Sequence, residues 1–260
     1  MPGTAQSTGR VRELVVMTFN VRTALGLDGW DLWWLRRRST VGAIAGLVPD
    51  VAGLQEVRPV QMRYLARRLP GYGFVSPGRA RRRWGGEQCP VLFRADRFKV
   101  AGAEARWFDA DRQGRMATVA RLVDLEDGCE LTVVNTHFDH RSAQRRAASA
   151  AAVVGWLAEA PGPCVVMGDL NAPVGEASVV HLLEAGLADA LGHLPARGPG
   201  AATAHAFTGR LDGARIDHIL VSGDHEVLEG SIVHDRPRGR LPSDHWPVMA
   251  RLRPAGSPRR

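Results

Sequence analysis

Six short polar segments sit against apolar runs, and their side chains are types that bind cations and move protons. Residues 14–19 end in Asn20, and 51–54 lead into Gln55-Glu56. Residues 131–134 lead into Asn135-Thr136-His137-Phe138-Asp139, and 164–167 into Gly168-Asp169-Leu170-Asn171. Arg215-Ile216-Asp217-His218 opens a further run, and Ser243-Asp244-His245 precedes the last. Carboxylate and carboxamide oxygens are ligands for hard cations. Imidazoles and carboxylates are the usual acids and bases. Asp169 and Asn171 flank a single leucine, so in extended chain they point the same way. Any one of these residues reads as turn chemistry, because Asn and Asp bond their own backbone. Six segments at the ends of strands on one sheet edge would instead converge on a common pocket. The chain has only three asparagines, Asn20, Asn135 and Asn171, and each stands at the end of an apolar run.

The elements that must position these groups follow from patterning. Short β-like runs occupy 14–19, 51–54, 90–93, 117–123, 131–134, 164–167, 216–221 and 247–252. Residues 32–47 and 60–69 carry apolar side chains at helical spacing, and the second ends at Pro70-Gly71. Residues 142–160 are Ala-rich and end at Pro161-Gly162, and 177–185 follow Pro173 and end near Gly186. Many strands with a few helices between them predict two packed sheets with helices on their outer faces. A strict βα alternation would indicate a Rossmann fold or a barrel, and the strand-rich middle argues against both.

The 260 residues suit one such domain, expected over 13–253, with flexible ends at 1–12 and 254–260. Hydrophobic residues make up 45% and charged residues 23%, which excludes bulk disorder. No apolar run reaches the roughly 18–20 residues of a membrane span. The first 13 residues hold no signal-type apolar stretch, so the expected location is cytoplasmic. Cys89, Cys129 and Cys164 lie in or beside apolar runs and are expected to be buried free thiols. A net charge of +7 favours an anionic partner. That signal is discounted, because Lys99 is the lone lysine among 34 basic residues. The composition looks like GC-biased coding, which inflates arginine whatever the function.

Taken together, the run from Thr18-Phe19-Asn20 to Ser243-Asp244-His245-Trp246-Pro247-Val248 resembles the endonuclease/exonuclease/phosphatase superfamily, and specifically a deoxyribonuclease/sphingomyelinase-like bacterial branch. The resemblance implies a four-layer α/β sandwich with two central, mostly antiparallel sheets flanked by helices. It implies hydrolysis of phosphoesters by in-line attack of water, usually with Mg²⁺ and alternatively Mn²⁺. Glu56 would hold the metal, with Asn20 as a weak ligand or an orienting group and Asp244 as a further contact. Asp169 would orient or deprotonate the water, and Asn171 would touch the scissile phosphate. His245 would donate to a phosphate oxygen while Asp217 holds its ring. His137, where apurinic endonucleases resemble a tyrosine at the corresponding place, would help the leaving group. Glu87 would either hold an arginine near the pocket or be a turn residue. Asp139, Arg79, Arg81 and Arg146 are the weaker substrate-phosphate candidates. Trp30, Trp33 and Trp34 read as core or rim packing. The short stretch between Val100 and Met116 departs from the branch and bears on substrate preference.

The expected activity is therefore that of a Mg²⁺-dependent phosphodiester hydrolase, with a nuclease on DNA or RNA as the first reading. A phosphatase or phospholipase-type esterase on a small or lipid phosphoester is the alternative. A non-catalytic nucleic-acid-binding scaffold stands third. A long basic groove would suit a polymer and an apolar collar would suit lipid. No exposed aromatic hairpin is legible in the sequence, and no protein partner can be inferred.

Overall fold

The computed structural model describes residues 13–77, 86–108, 115–159 and 162–254. The elements run β1 (Leu14–Asn20), α1 (Trp33–Leu47), β2 (Val51–Gln55), α2 (Pro59–Arg68), β3 (Tyr72–Val75), β4 (Val91–Arg94) and β5 (Phe98–Trp107). Then come β6 (Met116–Asp124), β7 (Glu130–His137), α3 (Ala143–Glu159), β8 (Cys164–Asp169), α4 (Ala177–Glu184) and β9 (Ala188–Asp189). The chain closes with β10 (Arg197–Gly198), β11 (Gly213–Ala214), β12 (Asp217–Val221), β13 (His225–Ile232) and β14 (Val248–Pro254). Two mixed six-stranded sheets result, ordered β13-β14-β1-β2-β4-β3 and β5-β6-β7-β8-β12-β9.

Each sheet contains one parallel pair, β1 with β2 and β7 with β8. A parallel pair needs a crossover, and α1 and α3 supply them. The central strands are buried on both faces, which is why they read as continuous apolar runs. Val16, Val51, Val133 and Val165 face the partner sheet in a core completed by Phe93, Leu122 and Trp246. Their neighbours Met17, Ala52 and Leu54 turn outward onto Trp33, Ile44 and Leu65 of α1 and α2. On the second sheet Val134 and Val166 turn outward onto Ala150 and Val153 of α3 and Val179 and Leu182 of α4. The four-layer sandwich follows from this alternation of strand faces.

All eight strand-like runs and all four helices expected from the sequence are present. Strands β3, β5 and β13 and the two-residue β9, β10 and β11 lie outside those expectations. β5 is an edge strand with one buried residue, Phe98, so it carries no apolar run to detect. It also accounts for the first part of the short stretch between Val100 and Met116. The thiols need a correction. Cys89 and Cys164 are buried, but Cys129 is exposed in the β6–β7 turn, where Asp127 accepts its backbone N–H.

Asn135 does not reach the site. It sits between the sheets, where its Nδ2 donates to the Leu54 and Pro90 carbonyls and its Oδ1 accepts from Gln55 Nε2 at 2.7 Å. The approach is close enough that a Cβ on Gly53 would stand 2.6 Å from that Oδ1. The sheets are stapled here by a buried amide pair rather than by side-chain packing alone.

Candidate active site

Strand register gathers the polar strand ends. Asn20 stands opposite Gln55, one residue before Glu56. In the other sheet Asp169 is flanked by His137 on β7 and Asp217 on β12. This end of β8 requires glycine where it passes β7. Gly168 has φ +149°, and a Cβ there would lie 1.9 Å from the Thr136 carbonyl oxygen.

Asp169 is the hub. Its Oδ2 accepts from Asn20 Nδ2 at 3.0 Å and stands 3.4 Å from His137 Nε2 and 3.8 Å from His245 Nε2. The same Asn20 Nδ2 reaches Glu56 Oε1 at 3.1 Å, so one amide bridges the two sheets' carboxylates. Asn20 Oδ1 accepts from the Arg22 backbone N–H at 3.0 Å, which fixes the amide's orientation. In this arrangement Asn20 aligns the carboxylates with its nitrogen. Glu56 adopts φ +61°, an uncommon conformation for a glutamate. The bridge between Val57 and Gln88 holds the chain there. Glu56 Oε2 accepts from the Thr23 N–H at 2.9 Å.

Burial sets the charges. The Asp169 carboxyl is raised above the usual carboxylate range by desolvation and then by the neighbouring Asp217. Burial opposes a charged His245, but Asp217 and Asp169 outweigh it and hold the imidazolium well above the ordinary histidine value. Asp217 Oδ2 lies 2.9 Å from His245 Nδ1, which leaves Nε2 on the Asp169 side. His137 goes the other way. Burial and the Arg115 guanidinium keep its ring neutral.

Clustered carboxylates are the oxygen donors a hard cation takes. Asp169, Asp217 and His245 bring ligand-type atoms within 4.8 Å of one another. Asp217 Oδ1 is buried and finds no hydrogen-bond partner among the described residues. His245 is engaged by Asp217 at Nδ1 and faces Asp169 with Nε2, and the oxygens of Glu56 and the neighbouring aspartates are the donors suited to a hard cation.

A family profile described as "Endonuclease/Exonuclease/phosphatase family" matches residues 17–245. The chain belongs to that family. It is 27% identical to tyrosyl-DNA phosphodiesterase 2 of Danio rerio, over 95% of this chain and 68% of that protein. A Bacteroides thetaiotaomicron member of the family superposes with a TM-score of 0.84 at 26% identity, covering 93% of this chain and 98% of that one. The mannosyl-6-phosphatase of Bacteroides thetaiotaomicron VPI-5482 gives 0.83 at 26% identity, over 92% of this chain and 99% of that one. The two mixed sheets and their outer helices are the family's α/β sandwich.

The remaining candidates in this family member are placed unevenly. Asn171 turns with φ +50°, so the segment is not extended. Its backbone N–H closes a turn onto Asp169 Oδ1, and its Nδ2 donates to the Phe138 carbonyl. Asp244 accepts from Ser243 Oγ, and its other oxygen lies 3.6 Å from Arg22 Nε. Asp139 is occupied within the fold. It accepts from the Arg141 and Ser142 N–H groups ahead of α3 and pairs with Arg145. Arg146 is buried and clamps Glu176 through two bonds, at 2.6 and 2.8 Å. Arg79 and Arg81 lie outside the described residues. Glu87 faces Arg58 at 3.5 Å, and Arg58 bonds Thr23 Oγ1.

Several supporting roles escaped the sequence. Gln61 opens α2 in a capping box with Arg58, and its Oε1 also accepts from Ala24 N–H. Thr203 Oγ1 accepts from the Ile216 and Asp217 N–H groups, and Ser243 Oγ donates to the Asn20 carbonyl. The buried Arg36 pins the Val21, Arg22 and Pro242 carbonyls from α1. Hydroxyl, amide and guanidinium groups with partners far away in sequence carry no local signal.

Proposed function

We propose that this protein is a divalent-metal-dependent phosphodiester hydrolase that attacks phosphorus with water, with nucleic acid as the first substrate class. The observation that carries this reading is Asp169 held between Asn20, His137 and His245 beside the Glu56 carboxylate. A buried carboxylate of raised proton affinity is suited to take a proton from water. Asp169 receives that proton while Asn20 keeps its oxygen aligned. His245, charged and fixed by Asp217, donates from Nε2 to a phosphate oxygen as negative charge builds. His137, neutral, offers a hydrogen bond on the leaving-group side. Asn171 meets the phosphate from the turn after β8. Glu56, with Asp244 as a further contact, would hold Mg²⁺, which when bound supplies positive charge against the phosphate oxygens. The likeness to a tyrosyl-DNA phosphodiesterase supports a nucleic-acid diester. The mannosyl-6-phosphatase, with a TM-score of 0.83 at 26% identity, supports a second reading, a small phosphomonoester.

Hydrolysis of bis(p-nitrophenyl) phosphate with Mg²⁺ or EDTA tests the chemistry without choosing a biological substrate. Metal-dependent release that disappears in Asp169→Asn is expected. Release that survives EDTA and that substitution would overturn the reading. Supercoiled plasmid set against mannose 6-phosphate then separates the two substrate classes.

A further inference from the structure

Large apolar side chains are exposed unevenly. Five of the nine among the described residues fall between positions 25 and 35: Leu25 (66%), Leu27 (98%), Trp30 (84%), Trp34 (54%) and Leu35 (49%). Scattered exposed apolar residues are ordinary, but five on one short segment are not. The segment bridges the active site and α1. Two residues before Leu25, the Thr23 N–H holds Glu56 Oε2.

The segment's surroundings are basic. The Arg37 guanidinium lies over the Trp34 ring, 5.4 Å from its centroid. Arg240 donates to the Trp30 carbonyl, and Arg38, Arg236 and Arg238 are exposed on α1 and the neighbouring turn. Pro237 packs that turn against Gly42 of α1. The two acids in the segment are paired, Asp28 with Arg22 and Asp31 with Arg240.

We propose that residues 25–35 form an interfacial anchor that docks the catalytic face onto an anionic lipid surface. Tryptophans at the headgroup level, leucines reaching deeper and arginines at the rim are the composition such interfaces select. Aliphatic Leu25 and Leu27 distinguish this surface from a base-stacking platform, which uses π faces. No aromatic hairpin carries this surface; a loop and the start of α1 do. Docking needs no turnover, so its failure and the failure of the hydrolase reading are separable.

Co-sedimentation of the full chain with phosphatidylcholine vesicles, with and without phosphatidylglycerol, tests the anchor. Binding should favour the anionic vesicles and weaken as salt rises. Leu27→Ala combined with Trp30→Ala should weaken it at least tenfold, on the order expected for withdrawing two large apolar groups from a membrane. Both side chains are exposed, so the fold and hydrolysis of a soluble diester should persist. No binding to either vesicle, or equal binding by the double variant, would overturn the proposal. So would a double variant whose loss is confined to a single-stranded oligonucleotide, because the segment would then be a nucleobase platform.

Discussion

At the residue scale, the site depends on two groups whose charges burial has pushed in useful directions. Asp169 must be ionised to accept a proton, and its raised proton affinity places an acid limb above the ordinary carboxylate range. His245 must be charged to donate, so the rate should fall again as pH rises through its elevated value. The cluster titrates as a unit, and a bell-shaped profile is its expected signature. Asp217→Asn removes the charge that holds the imidazolium. The alkaline limb of kcat/KM should then move down by about 1–3 pH units. An unmoved limb would show that Asp217 has no part in setting that charge. Asp169→Asn should lower kcat by roughly 10²–10⁴-fold, the usual contribution of a positioned base.

At the element scale, the site is reached through strand ends and helix starts, and these differ in how far the sequence displays them. β1, β2, β8 and β12 are buried on both faces and announce themselves as apolar runs, so Asn20, Glu56, Asp169 and Asp217 could be placed. β3, β5 and β13 pair at or beside the sheet edges, and their mixed exposure hides them. The periodicity also cannot tell which strand face meets the other sheet. For that reason the place of Asn135 at the end of an apolar run did not reveal it as a staple between sheets. Gly53→Ala would drive a methyl into that staple, 2.6 Å from Asn135 Oδ1 and 2.8 Å from Met167 Sδ. It should cost about 1–3 kcal/mol and lower the Tm by several degrees. Arg146 behaves similarly, because its Glu176 clamp ties α3 to the residue before α4. Arg146→Ala should cost about 1–3 kcal/mol of stability and leave KM unchanged. A raised KM at unchanged Tm would return it to the substrate.

At the scale of the whole molecule, composition was a weak guide and topology a strong one. The +7 charge is carried almost wholly by arginine, and several of those arginines are internal: Arg36, Arg97, Arg146 and Arg215 are buried. Net charge therefore overstates the basic surface available to a polymer. The exposed Leu and Trp side chains of 25–35 were illegible for the opposite reason, since hydrophobicity in a sequence reads first as core. Among the described residues no helix is long and apolar enough to cross a membrane. The metal is tested here by stability as well as by rate. Mg²⁺ at about a hundredfold excess over its Kd should stabilise the fold by roughly 2.7 kcal/mol. Glu56→Gln should abolish most of that rise in Tm. Equal stabilisation of the variant would move the cation away from Glu56.

The most direct single measurement is nicking of supercoiled plasmid in Mg²⁺ by the wild-type protein and by Asp169→Asn, each verified as folded. The account predicts nicking by the wild type that EDTA abolishes and that the variant lacks. Intact plasmid after incubation with a folded, Mg²⁺-stabilised wild-type protein would contradict the nuclease assignment. Equal nicking by the variant would contradict the role given to Asp169.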